Sequence, residues 1–420
     1  MSYIYVPLSG KFQNHLGVLD TETLFIYRVK KDNTAKLGTP INNNSFSEGQ
    51  ASNGFDTLIL HVSNMCNLKC KYCFAGHGSY QSPEELMPPE IAIQAVDRFY
   101  EKYKYIREIK LFGGEPAINL DTIEAVLNHI SKLHSKHIIN KMPVFKIITN
   151  GTIMSEQFIN LVKEYNIKVV FSIDGPESIH DSGRIYRNGS PTFNTVKSNF
   201  EVLRDATDES QPYSIDVTYS NFHENNGFTI FDTVEYLTST FKIKPQKVNV
   251  SLVSDVFGDG QIRIDNINAM SDSAKDTLFA AENGVFLPHM KLKAVIRHLK
   301  KRTKSKDSIC SAAGRWAAVS VRGDVYPCLM FMDREEYYMG NVCDYLWNKS
   351  SYQNVLNVFQ NHKKTDNKEC AECDISVVCS ACMGLNESET GNLYHSSEIT
   401  CKERKRIVLT AIKGIAEEVF

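Results

Sequence analysis

The feature that most constrains this 420-residue chain is Met65-Cys66-Asn67-Leu68-Lys69-Cys70-Lys71-Tyr72-Cys73-Phe74. Three thiols fall within eight residues, spaced Cys-x3-Cys-x2-Cys, directly after the apolar run Thr57-Leu58-Ile59-Leu60-His61-Val62. Such a run reads as a buried strand, which puts the cysteines on a loop at its end. Three thiolates hold three irons of a cubane [4Fe–4S] cluster and leave the fourth iron without a protein ligand. A zinc knuckle competes with this reading, because thiolates also suit zinc.

The rest of the chain weighs on that choice. It carries 11 cysteines. Met1-Ser2-Tyr3-Ile4-Tyr5-Val6-Pro7 has neither a basic nor an apolar region of a signal peptide. No apolar run approaches the roughly 20 residues of a membrane span. The expected location is therefore the cytoplasm, with no membrane partner. Disulfides are rare there, so metal or cluster ligation is expected to account for the thiols. A formal net charge of −2 gives no reason to expect nucleic acid as a partner.

The length suggests about two to three domains. From Thr57 to Val253 strand-like and helix-like segments alternate. Strands are predicted at Leu58–Val62, Glu108–Phe112, Val144–Thr149, Lys168–Ile173, Ser214–Tyr219 and Lys247–Leu252. Helices are predicted at Pro89–Tyr103, Leu120–Lys136, Ser155–Tyr165, Thr192–Arg204 and Thr229–Thr238. Six β/α units predict an α/β fold, a parallel sheet curled into a barrel or partial barrel, with its chemistry at the carboxyl ends of the strands. The predicted division is 1–52, a hairpin and linker; 53–253, the partial barrel; 254–305, a bridge; 306–404, a cysteine-rich domain; and 405–420, a C-terminal packing helix. The basic segment Met290–Lys304 reads as a solvated helix.

Further motifs fall at predicted strand ends. Phe112-Gly113-Gly114-Glu115-Pro116 follows the second strand; its glycines let backbone approach a ligand, and its carboxylate can accept from an ammonium. A Gly-Gly pair by itself is more often a turn. The fourth strand ends Phe171-Ser172-Ile173-Asp174-Gly175, so Ser172 and Asp174 share a face. His180-Asp181-x2-Arg184 follows; a surface ion pair is the bland reading of the arginine.

Together these motifs resemble the radical S-adenosylmethionine (radical SAM) enzymes. The resemblance implies a partial (β/α)6 TIM-like barrel in which Cys66, Cys70 and Cys73 ligate the catalytic cluster. It places Gly113, Gly114 and Glu115 at the SAM amino group, Ser172 and Asp174 at its ribose, Arg184 at its carboxylate and Tyr72 near its adenine. Thr149-Asn150-Gly151 also resembles the family, and equally a simple strand-ending turn. Beyond Cys310, the pattern Gly323-x4-Cys328, Cys370-x2-Cys373-x5-Cys379-x2-Cys382 and Cys401 resembles the SPASM extension. By that resemblance Cys310, Cys328 and Cys382 bind a first auxiliary [4Fe–4S] cluster. Cys370, Cys373, Cys379 and Cys401 bind a second, making three clusters with SAM as cosubstrate. Two residues, not the usual three, separate Cys379 from Cys382, and this departure also suits paired zinc knuckles. Cys343 is left over, either as a fourth ligand of the first auxiliary cluster or, preferably, as a buried thiol.

The activity implied is that of an oxidoreductase. Its reduced cluster cleaves SAM homolytically, and the resulting radical takes hydrogen from an unactivated carbon. The expected partners are a precursor peptide and a one-electron donor such as a flavodoxin or ferredoxin. The favoured function is maturation of a ribosomally made peptide through a C–C or thioether crosslink. Peptide epimerisation and formylglycine formation in sulfatases are alternatives. Leu329, where a sulfatase-maturating enzyme carries aspartate after the cysteine, speaks against the last, although Asp333 lies nearby. The non-enzymatic alternative is a zinc-binding interaction protein.

Overall fold

The computed structural model describes residues 3–34, 37–42, 53–80, 82–207, 213–253, 268–282, 290–305 and 309–419. Much of the expected linker and part of the expected bridge lie outside the described residues. In chain order the strands are β1 (Tyr3–Pro7), β2 (His15–Asp20), β3 (Ile26–Lys30), β4 (Phe55–Ser63), β5 (Ile106–Gly113), β6 (Val144–Thr149), β7 (Lys168–Ser172), β8 (Ser214–Tyr219) and β9 (Val248–Leu252). Three short strands follow: β10 (Trp316–Val319), β11 (Asp324–Tyr326) and β12 (Gly340–Asn341). One nine-stranded sheet has the order β12-β11-β10-β4-β5-β6-β7-β8-β9, and β4 through β9 pair in parallel.

The six expected barrel strands are all present. Two patterns build them: in β6 and β8 every second residue is buried under the helices, while β4 and β7 are nearly continuous buried runs. The other residues face the barrel interior, where Lys110, Lys146 and Asp216 stand half-buried. Helices Pro89–Lys102, Leu120–Ser135, Glu156–Tyr165, Phe193–Ala206 and Ile230–Phe241 cover the outer face. Ser155 starts the third by accepting from the Phe158 N–H at 3.2 Å, and Thr229 starts the fifth by accepting from the Asp232 N–H at 3.1 Å. Each inward side chain such as Val126, Leu127 or Ile130, fully buried, contributes about 1.5–3 kcal/mol.

Three regions depart from expectation. β10 pairs in parallel with β4, Ala318 opposite Ile59, so the segment beyond Cys310 continues the barrel sheet. The N-terminal segment is a three-stranded antiparallel meander, since β2 lies between the two strands of the expected hairpin. It packs on the C-terminal helix Glu398–Ala416, sharing a second core built from Leu19, Leu24, Ile26, Ile407 and Ile412. Arg28 donates through Nε and Nη2 to the Ala416 carbonyl at 2.9 and 2.6 Å, where the last helical carbonyls lack partners. The Met290–Lys300 helix is not merely solvated: Leu292, Val295 and Leu299 are buried in that same core.

Candidate active site

The cysteine loop leaves the carboxyl end of β4 and is held from two sides. On one side, β5 ends in Gly113 and Gly114. Gly113 has φ +142°, and a Cβ there would lie 2.1 Å from the Ser63 carbonyl oxygen; one on Gly114 would lie 2.4 Å from that of Met65. The space so spared lets the Gly114 N–H donate to Ser63 at 2.7 Å and the Glu115 N–H to Met65 at 2.8 Å. The sequence reading expected these glycines to admit a ligand. What they admit in the structure is the backbone that carries the cysteines. On the other side, residues 183–187 run antiparallel to the loop. The Lys71 N–H donates to the Gly183 carbonyl at 3.0 Å, the Lys69 N–H to Ile185 at 2.8 Å and the Arg187 N–H to Asn67 at 3.3 Å. This ladder delivers Arg184 to the loop.

Glu115 is 0% exposed. Its Oε1 accepts from the Ala117 N–H at 3.0 Å and the Thr149 hydroxyl at 2.7 Å, and its Oε2 from the Asn150 N–H at 2.7 Å. Burial pushes its pKa up to about 7 against the pull of these donors. Its side chain thus ties the end of β5 to the end of β6, with its acceptor sites turned inward.

Asp174, 1% exposed, is the most heavily bonded group of the site. Arg184 grips it through Nε at 2.9 Å and Nη2 at 3.1 Å, the Thr218 N–H donates at 2.9 Å, and the Tyr72 hydroxyl also donates. Burial alone would raise its pKa, but the Arg184 guanidinium holds it below the usual carboxylate range. These bonds fill its acceptor sites, so a ribose hydroxyl can use Asp174 only by displacing a donor such as Tyr72. Ser172 is half-buried on the same face. Arg184 Nη2 also reaches the Thr218 hydroxyl at 3.4 Å.

Cys66 and Cys70 are pushed up to about 12, in both cases chiefly by burial. Such thiols ionise readily once a cation takes their charge. The surroundings are ready for thiolates: Leu68 N–H and Asn150 Nδ2 lie 3.4 and 3.9 Å from the Cys66 sulfur, and Arg184 hydrogen-bonds Cys70. The residues present fit a cluster with three protein ligands. Among the described residues no three His, Cys, Asp or Glu converge as ligands of a single ion. A cubane bound through one thiolate per iron does not require that convergence.

The other cysteines sort into two groups. Cys328 lies within electrostatic reach of both Cys310 and Cys382, and burial raises it to about 12. Cys401 lies within reach of Cys370, Cys373 and Cys379. Cys382 stands with the first group despite its short spacing from Cys379. Cys343 is exposed just beyond β12, not buried. The Tyr80 hydroxyl, buried without a hydrogen-bond partner, is within reach of Cys73, Asp333 and Cys328.

Several participants went unassigned in the sequence reading. Asn150 joins Cys66, Glu115 and Asn67; His180 and His223 hold Asp174; Thr192 holds His180. The Thr149-Asn150-Gly151 resemblance and the His180-Asp181 motif were the available signals. His223 and Thr218 had none.

The radical SAM superfamily model matches residues 60–218, and the SPASM iron–sulfur cluster-binding domain model matches residues 310–374. The chain belongs to the radical SAM superfamily and carries its SPASM extension. It is therefore an enzyme of that family, and the zinc-binding interaction protein is set aside. It is 26% identical to the radical SAM cyclopropyl synthase TigE of Paramaledivibacter caminithermalis over 388 residues, covering 85% of this chain and 74% of that one. It is 25% identical to the antilisterial bacteriocin subtilosin biosynthesis protein AlbA of Bacillus subtilis, covering 81% and 69%. In fold it is similar to anSMEcpe with bound AdoMet, with a TM-score of 0.71 at 20% identity over 87% of this chain and 100% of that one. No helix of the described residues is long and apolar enough to cross a membrane.

Proposed function

We propose that this chain is a maturase of a ribosomally made precursor peptide, which removes a hydrogen atom from a side-chain or backbone carbon and closes a C–C or thioether crosslink. The observation that carries the reading is the position of Tyr80, within electrostatic reach of both Cys73 and Cys328. A substrate carbon held beside it lies between the SAM-side loop and the first SPASM thiol group. In this reading Cys66, Cys70 and Cys73 hold the catalytic cluster. Cys310, Cys328 and Cys382 hold a first auxiliary cluster, and Cys370, Cys373, Cys379 and Cys401 a second, three in all.

When bound, SAM and the reduced cluster supply the adenosyl radical that takes the substrate hydrogen. The chain's own residues bind and orient. Arg184 faces the SAM carboxylate while its Nε and Nη2 stay on Asp174. Tyr72 and Ser172 flank the nucleoside, and the backbone around Gly113, Gly114 and Glu115 closes the amino-group side. The SPASM thiols hold the acceptor for the electron released as the new bond closes. A flavodoxin or ferredoxin supplies the first electron. The names of the two long relatives, a cyclopropyl synthase and a bacteriocin biosynthesis protein, support bond formation within a peptide. Epimerisation needs a hydrogen donor, and the spare thiol Cys343 stands exposed beyond β12. Formylglycine formation is the second reading, favoured by Asp333, which accepts from the Ser82 hydroxyl at 2.8 Å within reach of Tyr80.

The test is mass spectrometry of short peptides encoded beside the gene, each co-expressed with the enzyme. Loss of a pair of hydrogens, absent with Cys66→Ala, is the expected result. Unchanged mass with deuterium uptake from heavy water would replace crosslinking with epimerisation. Unmodified peptides alongside a converted sulfatase cysteine would favour the second reading.

A further inference from the structure

Two buried histidines, His180 on the Glu177–Gly183 helix and His223 on the Asn221–Asn225 helix, close on one peptide unit. Both are 0% exposed. The Asp174 N–H points at His180 Nδ1 at 3.3 Å, and the Asp174 carbonyl lies 2.7 Å from His223 Nε2. The partners leave one arrangement of protons. His180 Nδ1 faces an N–H and must accept, so its proton is on Nε2, 3.0 Å from the Thr192 oxygen. That oxygen passes its own proton to the Arg184 carbonyl at 2.7 Å. His223 Nδ1 faces the Ser220 N–H at 3.1 Å and must also accept, so its Nε2 proton goes to Asp174. Burial holds the His180 pKa down to about 4 and lowers that of His223, so both rings stay neutral.

We propose that His180 and His223 are positioning residues for the cofactor: neutral imidazoles that clamp the N–H and C=O of Asp174 and so aim the Asp174–Arg184 pair at SAM. The inference rests on the SAM-site reading above and adds two residues to it. The clamp is tight in the coordinate that matters. Asp174 and Arg184 are bonded to each other through Nε and Nη2 at 2.9 and 3.1 Å, so a shift of the Asp174 peptide carries Arg184 with it. A rotation of the Asp174 peptide would therefore misdirect both charged groups at once.

The two rings work through opposite nitrogens, which makes the proposal separable from a packing role. An asparagine oxygen reaches about where Nδ1 sits, and a glutamine nitrogen about where Nε2 sits. His180→Asn keeps the acceptor for the Asp174 N–H; His180→Gln loses it. His223→Gln keeps the donor to the Asp174 carbonyl; His223→Asn loses it. In cluster-loaded protein, H180Q and H223N are expected to weaken SAM binding about tenfold, read by equilibrium dialysis. The KM for SAM should rise while kcat stays near wild type. H180N and H223Q should stay within about threefold of wild type.

Equal losses for both substitutions at either position, or no loss with any, would overturn the clamp. The wild-type protein supplies an arm free of folding effects: nitrogen NMR of labelled imidazoles should show the Nε2–H tautomer at both residues, and Nδ1–H at either overturns the proposal. Unchanged SAM affinity in Asp174→Asn would instead sink the SAM-site reading itself, while leaving the tautomer result standing.

Discussion

The SAM-side site and the SPASM side solve the same problem, holding several thiols in one place, by different means. On the SAM side the cysteine loop is strapped by backbone hydrogen bonds to the end of β5 and to residues 183–187, and its charged neighbours are satisfied by the protein itself. On the SPASM side Cys370, Cys373 and Cys379 lie around the four-residue helix Lys368–Ala371, and Cys401 on the first turn of the last helix. Cys382 and Cys401 are exposed. The first arrangement is built by the sheet. The second has no sheet beneath it among the described residues: it hangs on Ile375 and Val378, buried in the second core, and on Lys364 Nζ, which donates to the Ser376 and Cys379 carbonyls at 3.2 and 2.7 Å, and bound iron is expected to add to that order.

The largest expected break in that comparison comes from removing iron. Anaerobic chelation should make amides of residues 370–401 exchange about a hundredfold faster or more, while those of β4–β9 stay protected, as read by hydrogen exchange. Equal deprotection of both regions would mean the barrel also depends on its cluster.

The next effect separates charge from metal. Asp174→Asn leaves Arg184 buried without its counter-charge and should cost about 3–5 kcal/mol in denaturant unfolding near neutral pH. The sign with pH is definite. Because the folded carboxyl is held low, its stabilisation is fully present above the unfolded value of about 3.9 and is lost as pH falls through the lower folded value. The variant should lack that acid limb.

The smallest effect concerns Glu115. Its folded pKa is raised to about 7, so the stability tied to its protonated form is present below about pH 4.3 and is lost as pH rises through 7. Glu115→Gln should flatten that decline, a difference of at most about 3–4 kcal/mol between the two ends, read from denaturant midpoints across the range. An unchanged slope would show that the three donors around Glu115 outweigh its burial.

Legibility differed between the regions for a physical reason. The barrel strands announce themselves by short apolar runs, as in β4 and β7, or by alternation, as in β6 and β8, and Cys-x3-Cys-x2-Cys by spacing within eight; both are local. β10, β11 and β12 are two to four residues long, and β10 exists because it finds β4, more than 250 positions earlier in the chain. β2 was hidden by its polar start and by Gly17, which packs a Cβ-less backbone against Ala416. Asn150, His180 and His223 sit in turns and short helices, where one polar residue looks like any other until its partner is known.

By itself, then, the sequence determined that a parallel β/α sheet presents a three-thiol loop at a strand end, with a second cysteine-rich region behind it. Those are properties of residue type at short spacing. The tertiary structure alone decided that Asp174 is bonded to Arg184 and Tyr72, that Glu115 turns inward, that Cys343 stands exposed, and that two histidines grip one peptide unit. The bonds among these join groups that the chain keeps apart, and only the path of the backbone through the barrel brings their partners within hydrogen-bond or electrostatic range.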